Sequence, residues 1–211
     1  MPLIVDISKY SPSQFNELIL SFKSKSEELN NYLKRYSYNH SIKNATSKTY
    51  LFIEDGVLLS YITLAIETVS DENKNYNVYK SLSNLGDGYS FTIPTLKIAR
   101  LATDINYCGT GYGSSLIQLA FIRALILQMD VGCNIITVDA KNDAIEFYEK
   151  NGFAKINEGD EKITSMLRSI IPIKKLTNSE KEDILNVCTF FQLYDDRLKL
   201  SNYFNSMYIP H

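Results

Sequence analysis

Alternating glycines immediately ahead of an apolar run are the part of this sequence with the most direct chemical meaning. In Gly109-Thr110-Gly111-Tyr112-Gly113, successive backbone N–H groups can converge where a helix begins, and the positive end of the helix dipole adds to them. A phosphate or pyrophosphate is the natural guest of such a nest; a tight turn needing positive φ is the plain alternative. Two well-known phosphate loops do not fit. A Walker A loop needs Gly-Lys-Ser/Thr, and Ser114-Ser115 follow here without the lysine. A dinucleotide fingerprint needs Gly or Ala where Ser114 stands and usually sits on the first strand of a chain. Cys108, at the head of the loop, is either a thiol acidified by the helix start or a small turn residue.

Other chemistries lack their parts. The two histidines, His40 and His211, are far apart in sequence, so neither a zinc site nor a histidine-based triad is easily built. Cys108, Cys133 and Cys188 form no CxxC pair and, being three, cannot all pair internally, which suits a reducing cytoplasm. The start, MPLIVDISKYSPSQ, has neither the basic segment nor the apolar block of a signal peptide. No apolar run approaches the roughly 20 residues of a membrane helix. With 22 basic and 24 acidic residues the net charge is −2, no general case for nucleic acid. Locally the balance reverses: Lys23, Lys25, Lys34, Arg35, Lys43 and Lys48 face only Glu27 and Glu28 between residues 23 and 48, with Tyr32, Tyr36 and Tyr38 interleaved. Lysines on phosphates and rings on bases would suit RNA; an amphipathic helix with a solvated face gives the same pattern, and periodicity puts Tyr32 and Tyr36 in the core.

The elements that must position these groups read as follows. The 211 residues, 45% hydrophobic, suffice for one large domain, or one with a small appendage. The N-terminal segment reads as helices: Ser11-Pro12-Ser13-Gln14 supplies a capping box and first-turn proline, with a stripe at Phe15, Leu18, Ile19 and Phe22. A second helix starts near Ser26. Asp55-Gly56 marks a hairpin between strands at 50–54 and 57–68. Residues 70–90, with Gly86-Asp87-Gly88, read as a polar loop. Then come a strand at 94–102, the glycine loop, a helix at about 114–129 and a strand at 135–139. A short helix at 143–151 is stopped by Gly152, and strands follow near 153–157 and 165–170. From about Leu176 the chain reads helical, with Asn178-Ser179 as the cap and a stripe at Ile184, Leu185, Cys188, Phe191 and Tyr194. This order is an α/β layer fold.

Val138-Asp139-Ala140-Lys141 followed by Phe147-Tyr148-Glu149-Lys150-Asn151-Gly152-Phe153, one strand after the glycine loop, resembles the GNAT family of acetyl-CoA-dependent N-acetyltransferases. Its loop pattern, Gln/Arg-x-x-Gly-x-Gly/Ala, falls on Cys108 to Gly113, with Cys108 where Gln or Arg is usual. Asn30-Asn31-Tyr32-Leu33, Tyr61-Ile62-Thr63-Leu64, Ile93-Pro94, Ala99-Arg100-Leu101-Ala102 and the Ala140-Lys141 pair are similar to the toxin-type branch. Members of that branch acetylate the amino group of aminoacyl-tRNA and are neutralised by a small ribbon-helix-helix antitoxin. The resemblance spans about residues 15–170. It implies a GNAT fold, a central mixed and mostly antiparallel sheet flanked by helices, over residues 1–171. A helical C-terminal extension, 172–211, is expected to pack on that domain or on a second copy of the chain.

The resemblance also implies roles. Acetyl-CoA is the co-substrate and no metal is called for. Cys108, Gly109, Thr110, Gly111, Tyr112, Gly113 and Ser114 would hold its pyrophosphate, and a backbone N–H near Leu101–Ala102 would face the thioester carbonyl. Tyr148 would be the general acid for the leaving thiolate, with a core tyrosine as the plain reading. Arg100 would face the acceptor or form an ion pair on the strand surface. Lys141 would contact CoA or an acceptor phosphate or be solvated, and Lys34 and Arg35 would meet the acceptor. No base stands out among Glu67, Asp104 and Asp139; water suffices for an amine of near-neutral pKa. The implied partners are acetyl-CoA, aminoacyl-tRNA and the antitoxin, in the cytoplasm and without a membrane. A GNAT acting on a small amine or a protein N-terminus, and a GNAT-like binding module, are the competing readings.

Overall fold

The left-handed pair Asp55 (φ 50°) and Gly56 (φ 78°) closes a two-residue hairpin, and the sheet grows outward from it. In the computed structural model, which describes residues 2–70, 92–156 and 163–207, the hairpin joins β2 (Lys48–Glu54) and β3 (Val57–Ser70). The expected loop at 70–90, His211 and the end of the strand expected at 153–157 lie outside the described residues. β1 (Leu3–Asp6), β4 (Thr92–Thr103), β5 (Ile135–Lys141), β6 (Ala154–Lys155) and β7 (Ile163–Ser169) complete a seven-stranded sheet in the order β1-β2-β3-β4-β5-β7-β6. Every pairing is antiparallel except β4 with β5. The sheet is therefore mixed and mostly antiparallel, as the resemblance implied.

Helices cover both faces. α1 (Pro12–Leu18) and α2 (Glu27–Arg35) lie on one, where Phe15, Ile19, Phe22 and Leu33 pack on Leu51, Ile53, Tyr61 and Ala102. The Ser11–Gln14 capping box is present in both directions, but α1 stops at Leu18, short of the stripe that reaches Phe22. The chain then turns through a buried network in which Ser24 N–H and Oγ donate to Asn30 Oδ1 at 2.8 and 2.9 Å. The Tyr61 hydroxyl donates to the Leu29 carbonyl at 2.8 Å, fixing α2 to the sheet. On the other face α3 (Tyr112–Asp130) packs on β3, β4 and β5. By length and composition this helix could cross a membrane, a run the sequence reading did not register; here Leu116, Leu119, Ala120 and Leu125 are fully buried against the sheet and its neighbours. α4 (Ile145–Lys150) ends at Gly152 in the left-handed conformation (φ 80°), as expected.

The C-terminal extension forms α5 (Asn178–Phe190) and α6 (Tyr194–Ser206). Ile184, Cys188, Phe191, Leu200 and Phe204 join the main core, so it packs on its own chain. Its cap is Thr177 with Glu180, not Asn178-Ser179. The single expected stripe is broken at Gln192, which is left-handed (φ 58°), leaving Tyr194 62% exposed. Arg123 of α3 and Asp196 of α6 form a 2.7 Å ion pair beneath this extension, with the guanidinium over the Tyr50 ring at 4.7 Å.

The N-terminal segment, expected to be helical, opens with β1, a four-residue edge strand. Its outer edge is closed from far along the chain. Ile4 N–H donates to the Phe191 carbonyl at 3.4 Å and Gln192 Nε2 to the Pro2 carbonyl at 3.3 Å. These contacts cover part of the edge that β1 would otherwise offer to another chain.

Candidate active site

β4 and β5 pair over three residues only, Leu96, Lys97 and Ile98 with Ile136, Thr137 and Val138. Beyond that point β5 continues along β7 to the pair Lys141 with Ile163, while β4 follows β3. A bulge at Ala99, where Thr63 faces Arg100 but Leu64 faces Ile98, turns β4 away. The result is a cleft between two diverging parallel strands, and the backbone of Ala99–Thr103 has no strand partner on its β5 side. Leu101 and Ala102 lie on that edge.

The glycine loop flanks the cleft on the α3 side. Asp104, buried, accepts from Lys23 N–H at 2.8 Å and from Asn106 N–H at 2.9 Å. It is a structural cap and no longer a candidate base. Thr110 Oγ1 donates to the Tyr107 carbonyl at 2.6 Å. Gly109 (φ 83°) and Gly111 (φ 94°) need the left-handed region, and a Cβ on either would meet no atom within 4 Å. Gly111 caps α3 without any side-chain hydrogen bond, so the first-turn amides of Tyr112, Gly113 and Ser114 are left for a ligand. Gly113 is there for a different reason: a Cβ would come within 3.1 Å of Phe147 Cζ. Tyr112 points inward, its ring 4.9 Å from Phe52 and its hydroxyl donating to Glu54 at 3.2 Å. Partial desolvation and Glu54 together raise its phenol pKa. Cys108 is exposed, its sulfur 3.6 Å from the Asp104 carbonyl and one loop away from the start of α3.

Tyr148 sits on α4, 6% exposed, with its ring at right-angle packing distances of 5.1 Å from Phe147 and 5.4 Å from Phe153. Its hydroxyl makes no hydrogen bond among the described residues. Burial pushes the phenol well above its ordinary range, so it holds its proton throughout the neutral range.

The opposite wall belongs to α2. Arg100 lies under the Tyr32 ring, Cζ 5.0 Å from the centroid, with Nη1 donating to the Ala99 carbonyl at 2.6 Å and Nε buried without a partner. Lys141 reaches across the cleft to Glu28 at 2.8 Å, and this hydrogen bond and charge lower the Glu28 carboxyl pKa. Lys34 and Arg35 are exposed on the outer side of α2. The structure thus sets Arg100 and Lys141 against α2, the glycine loop at the head of α3, and Tyr148 in the core beside Gly113's neighbour Phe147.

Sequence reasoning missed Glu28 as the partner of Lys141 and assigned Tyr32 and Tyr36 to the core. Tyr32 is only partly buried and Tyr36 is 50% exposed. A spacing of four through Glu28, Tyr32, Tyr36 and His40 was the available signal. It also missed a network on the sheet face: Lys97 Nζ bridges Glu67 at 2.6 Å and Asp139 at 2.8 Å, while Thr137 donates to Glu67 and Ser165 to Asp139. Burial acts to raise the Asp139 carboxyl, but Lys97 and Ser165 outweigh it and hold it below its usual range. Held low in this way, Asp139 is a poor base. Among the described residues no three His, Cys, Asp or Glu side chains gather as a metal site.

Residues 51–155, from β2 through the cleft and glycine loop to β6, match the family model "Acetyltransferase (GNAT) domain". The chain carries a GNAT acetyltransferase domain. Solved structures share the fold of this GNAT chain. One is AtaT complexed with acetyl-methionyl-tRNAfMet, 20% identical, TM-score 0.63, covering 82% of this chain and 96% of the other. A second is a mutant AtaT toxin bound to acetyl-CoA and the C-terminus of the antitoxin AtaR, 20% identical, TM-score 0.60, covering 80% and 93%. A third is a tyrosine-to-phenylalanine mutant of KacT, 21% identical, TM-score 0.63, covering 78% and 93%. At these identities the likeness is one of GNAT fold.

Proposed function

We propose that this GNAT chain transfers the acetyl group of acetyl-CoA to the amino group of aminoacyl-tRNA, and so acts in the cytoplasm as a toxin that blocks translation. The observation that carries the reading is the two-sided cleft. One wall is a glycine-lined helix N-terminus suited to a pyrophosphate; the other is a helix with exposed cations and half-exposed rings. The structural neighbours, which include an AtaT complex with acetylated methionyl-tRNA, support it.

In this reading the amides of Gly109 to Ser114 hold the CoA pyrophosphate, and Cys108, in place of a longer polar side chain, leaves that task to the backbone. Acetyl-CoA supplies the activated thioester. The unpaired edge of β4 at Leu101–Ala102 receives its carbonyl oxygen as negative charge develops there. The substrate nitrogen attacks the carbonyl carbon, the C–S bond breaks, and the departing sulfur takes the proton of Tyr148. The proton lost by the amine passes to water and the phenol is reloaded from solvent. Arg100 and Lys141 face the acceptor side, and Lys34 and Arg35 meet its phosphates. A small ribbon-helix-helix antitoxin would be the protein partner.

Incubation with labelled acetyl-CoA and a fully charged tRNA pool tests the reading. Label is expected on at least one aminoacyl-tRNA; label on none rejects it. A GNAT acting on a small amine or a protein N-terminus is the competing reading. Growth arrest on expression, relieved by Tyr148→Phe, separates the two.

A further inference from the structure

Glu28, Tyr32, Tyr36 and His40 recur at intervals of four, and backbone hydrogen bonds carry that face past the end of α2. Tyr36 N–H donates to the Tyr32 carbonyl at 3.0 Å and His40 N–H to the Tyr36 carbonyl at 2.9 Å. The stripe starts in the cleft, where Glu28 holds Lys141 and Tyr32 covers Arg100, and runs outward. Along it the rings touch: Tyr32 and Tyr36 are 6.5 Å apart at 33°, Tyr36 and His40 6.0 Å at 34°, and Tyr32 and His40 5.7 Å at 62°. Tyr36 is half exposed and the other two rings are partly so. None of the three side chains makes a hydrogen bond among the described residues. Arg35, beside Tyr36 in sequence, and Lys43, just past His40, are exposed and form no ion pair among the described residues.

A line of partly exposed rings, with Tyr36 the most open, beside exposed cations is the composition of a single-stranded nucleic-acid track: bases stack on the rings whatever their identity, and phosphates meet the cations. We propose that Tyr32, Tyr36 and His40 form a stacking ledge for the unpaired 3′-terminal bases of the acceptor RNA, one step outside the transfer cleft. The inference rests on the reading of the acceptor as aminoacyl-tRNA and adds to it how the strand is aimed. The amino acid is esterified to the terminal nucleoside, so the last bases must approach along a wall of the cleft. The ledge is the wall that begins at Arg100 and Lys141. Its preference is for an unpaired strand, with little sequence discrimination.

Two measurements on the full chain test this, with folding of each variant checked by its melting temperature. First, Tyr36→Ala is expected to raise KM for aminoacyl-tRNA about 5- to 150-fold with kcat little changed, the range one base–aromatic stack gives, and Tyr36→Phe is expected to restore KM. Second, an uncharged acceptor-stem hairpin with 2-aminopurine as its terminal base is titrated with protein. Its fluorescence should be quenched by the wild type and by Tyr36→Phe, but not by Tyr36→Ala. Quenching that depends on Tyr36 without any acetylation of aminoacyl-tRNA would keep the ledge and discard the acceptor reading. Acetylation with KM and quenching both indifferent to Tyr36→Ala and His40→Ala would overturn the ledge. Neither acetylation nor Tyr36-dependent quenching would overturn both.

Discussion

Replacing Tyr148 by Phe removes one oxygen that has no hydrogen-bond partner among the described residues, and this makes its effects on stability and on rate separable. Its oxygen is not among the fully buried atoms left without a partner, and it gives up no hydrogen bond to the described residues, so its loss should leave stability near wild type. The ring contacts with Phe147 and Phe153 at 5.1 and 5.4 Å are retained. As the general acid, however, the hydroxyl is expected to contribute about 10²- to 10⁴-fold to turnover. Steady-state kinetics with acetyl-CoA and charged tRNA, together with thermal melts and acetyl-CoA titration, should show kcat down by that factor. The melting temperature and the acetyl-CoA dissociation constant should stay near wild type. The pH profile adds an independent check. Burial lifts the phenol, so the protonated, proton-donating form persists past its ordinary pKa of about 10. A wild-type kcat that declines around pH 10, with the decline abolished in Tyr148→Phe, would refute a desolvated donor. Unchanged kcat in the variant would refute the acid role altogether.

Three further outcomes follow from the same geometry. Gly111→Ala forces a side chain into φ 94° where space is open; it should cost about 1–2 kcal/mol in denaturant melts and weaken acetyl-CoA binding measured by calorimetry. Gly113→Ala instead pushes on Phe147 at 3.1 Å and through it on Tyr148. About 1–3 kcal/mol of overpacking is expected, with kcat falling more than acetyl-CoA affinity. Asp196 carries the pH prediction. Its burial outweighs the Arg123 charge and lifts the carboxyl above its ordinary range, so the folded chain keeps a proton that the unfolded chain has lost. The associated stability is full below the unfolded carboxyl pKa of about 4 and is lost as pH rises through the folded value. Chemical denaturation across that window should show the slope in wild type and its absence in Asp196→Asn.

What the sequence discloses is what local chemistry decides. Ser11 with Gln14, Asp55-Gly56 and Gly152 each satisfy a cap or a left-handed turn with neighbouring residues, and each stands where it was expected. The glycine loop was legible for the same reason, although the packing role of Gly113 depends on Phe147, some 30 positions away. The cleft was not legible, because it arises where β5 leaves β4 for β7, a choice made between strands. β1 escaped notice because Leu3–Asp6 is too short to show a period and depends on β2 for its definition. Tyr36 was misplaced because helical spacing says which residues share a face, not whether anything covers it. The break at Gln192 was hidden by a residue type that rarely marks a left-handed turn.

The contacts from Phe191 and Gln192 to Ile4 and Pro2 span about 190 positions of sequence. At a synthesis rate of about 5–20 residues per second, roughly 10 to 40 s separate the emergence of β1 from that of its cover. For that interval the growing chain holds an uncovered strand, while the face of α3 that will receive α6 stays wet. A nascent chain at this stage is a substrate for chaperones, and one cut short before Phe191 would expose a ready site for strand addition. The segment around Phe191 and Gln192 therefore sets when β1 is covered as well as how the chain is held together.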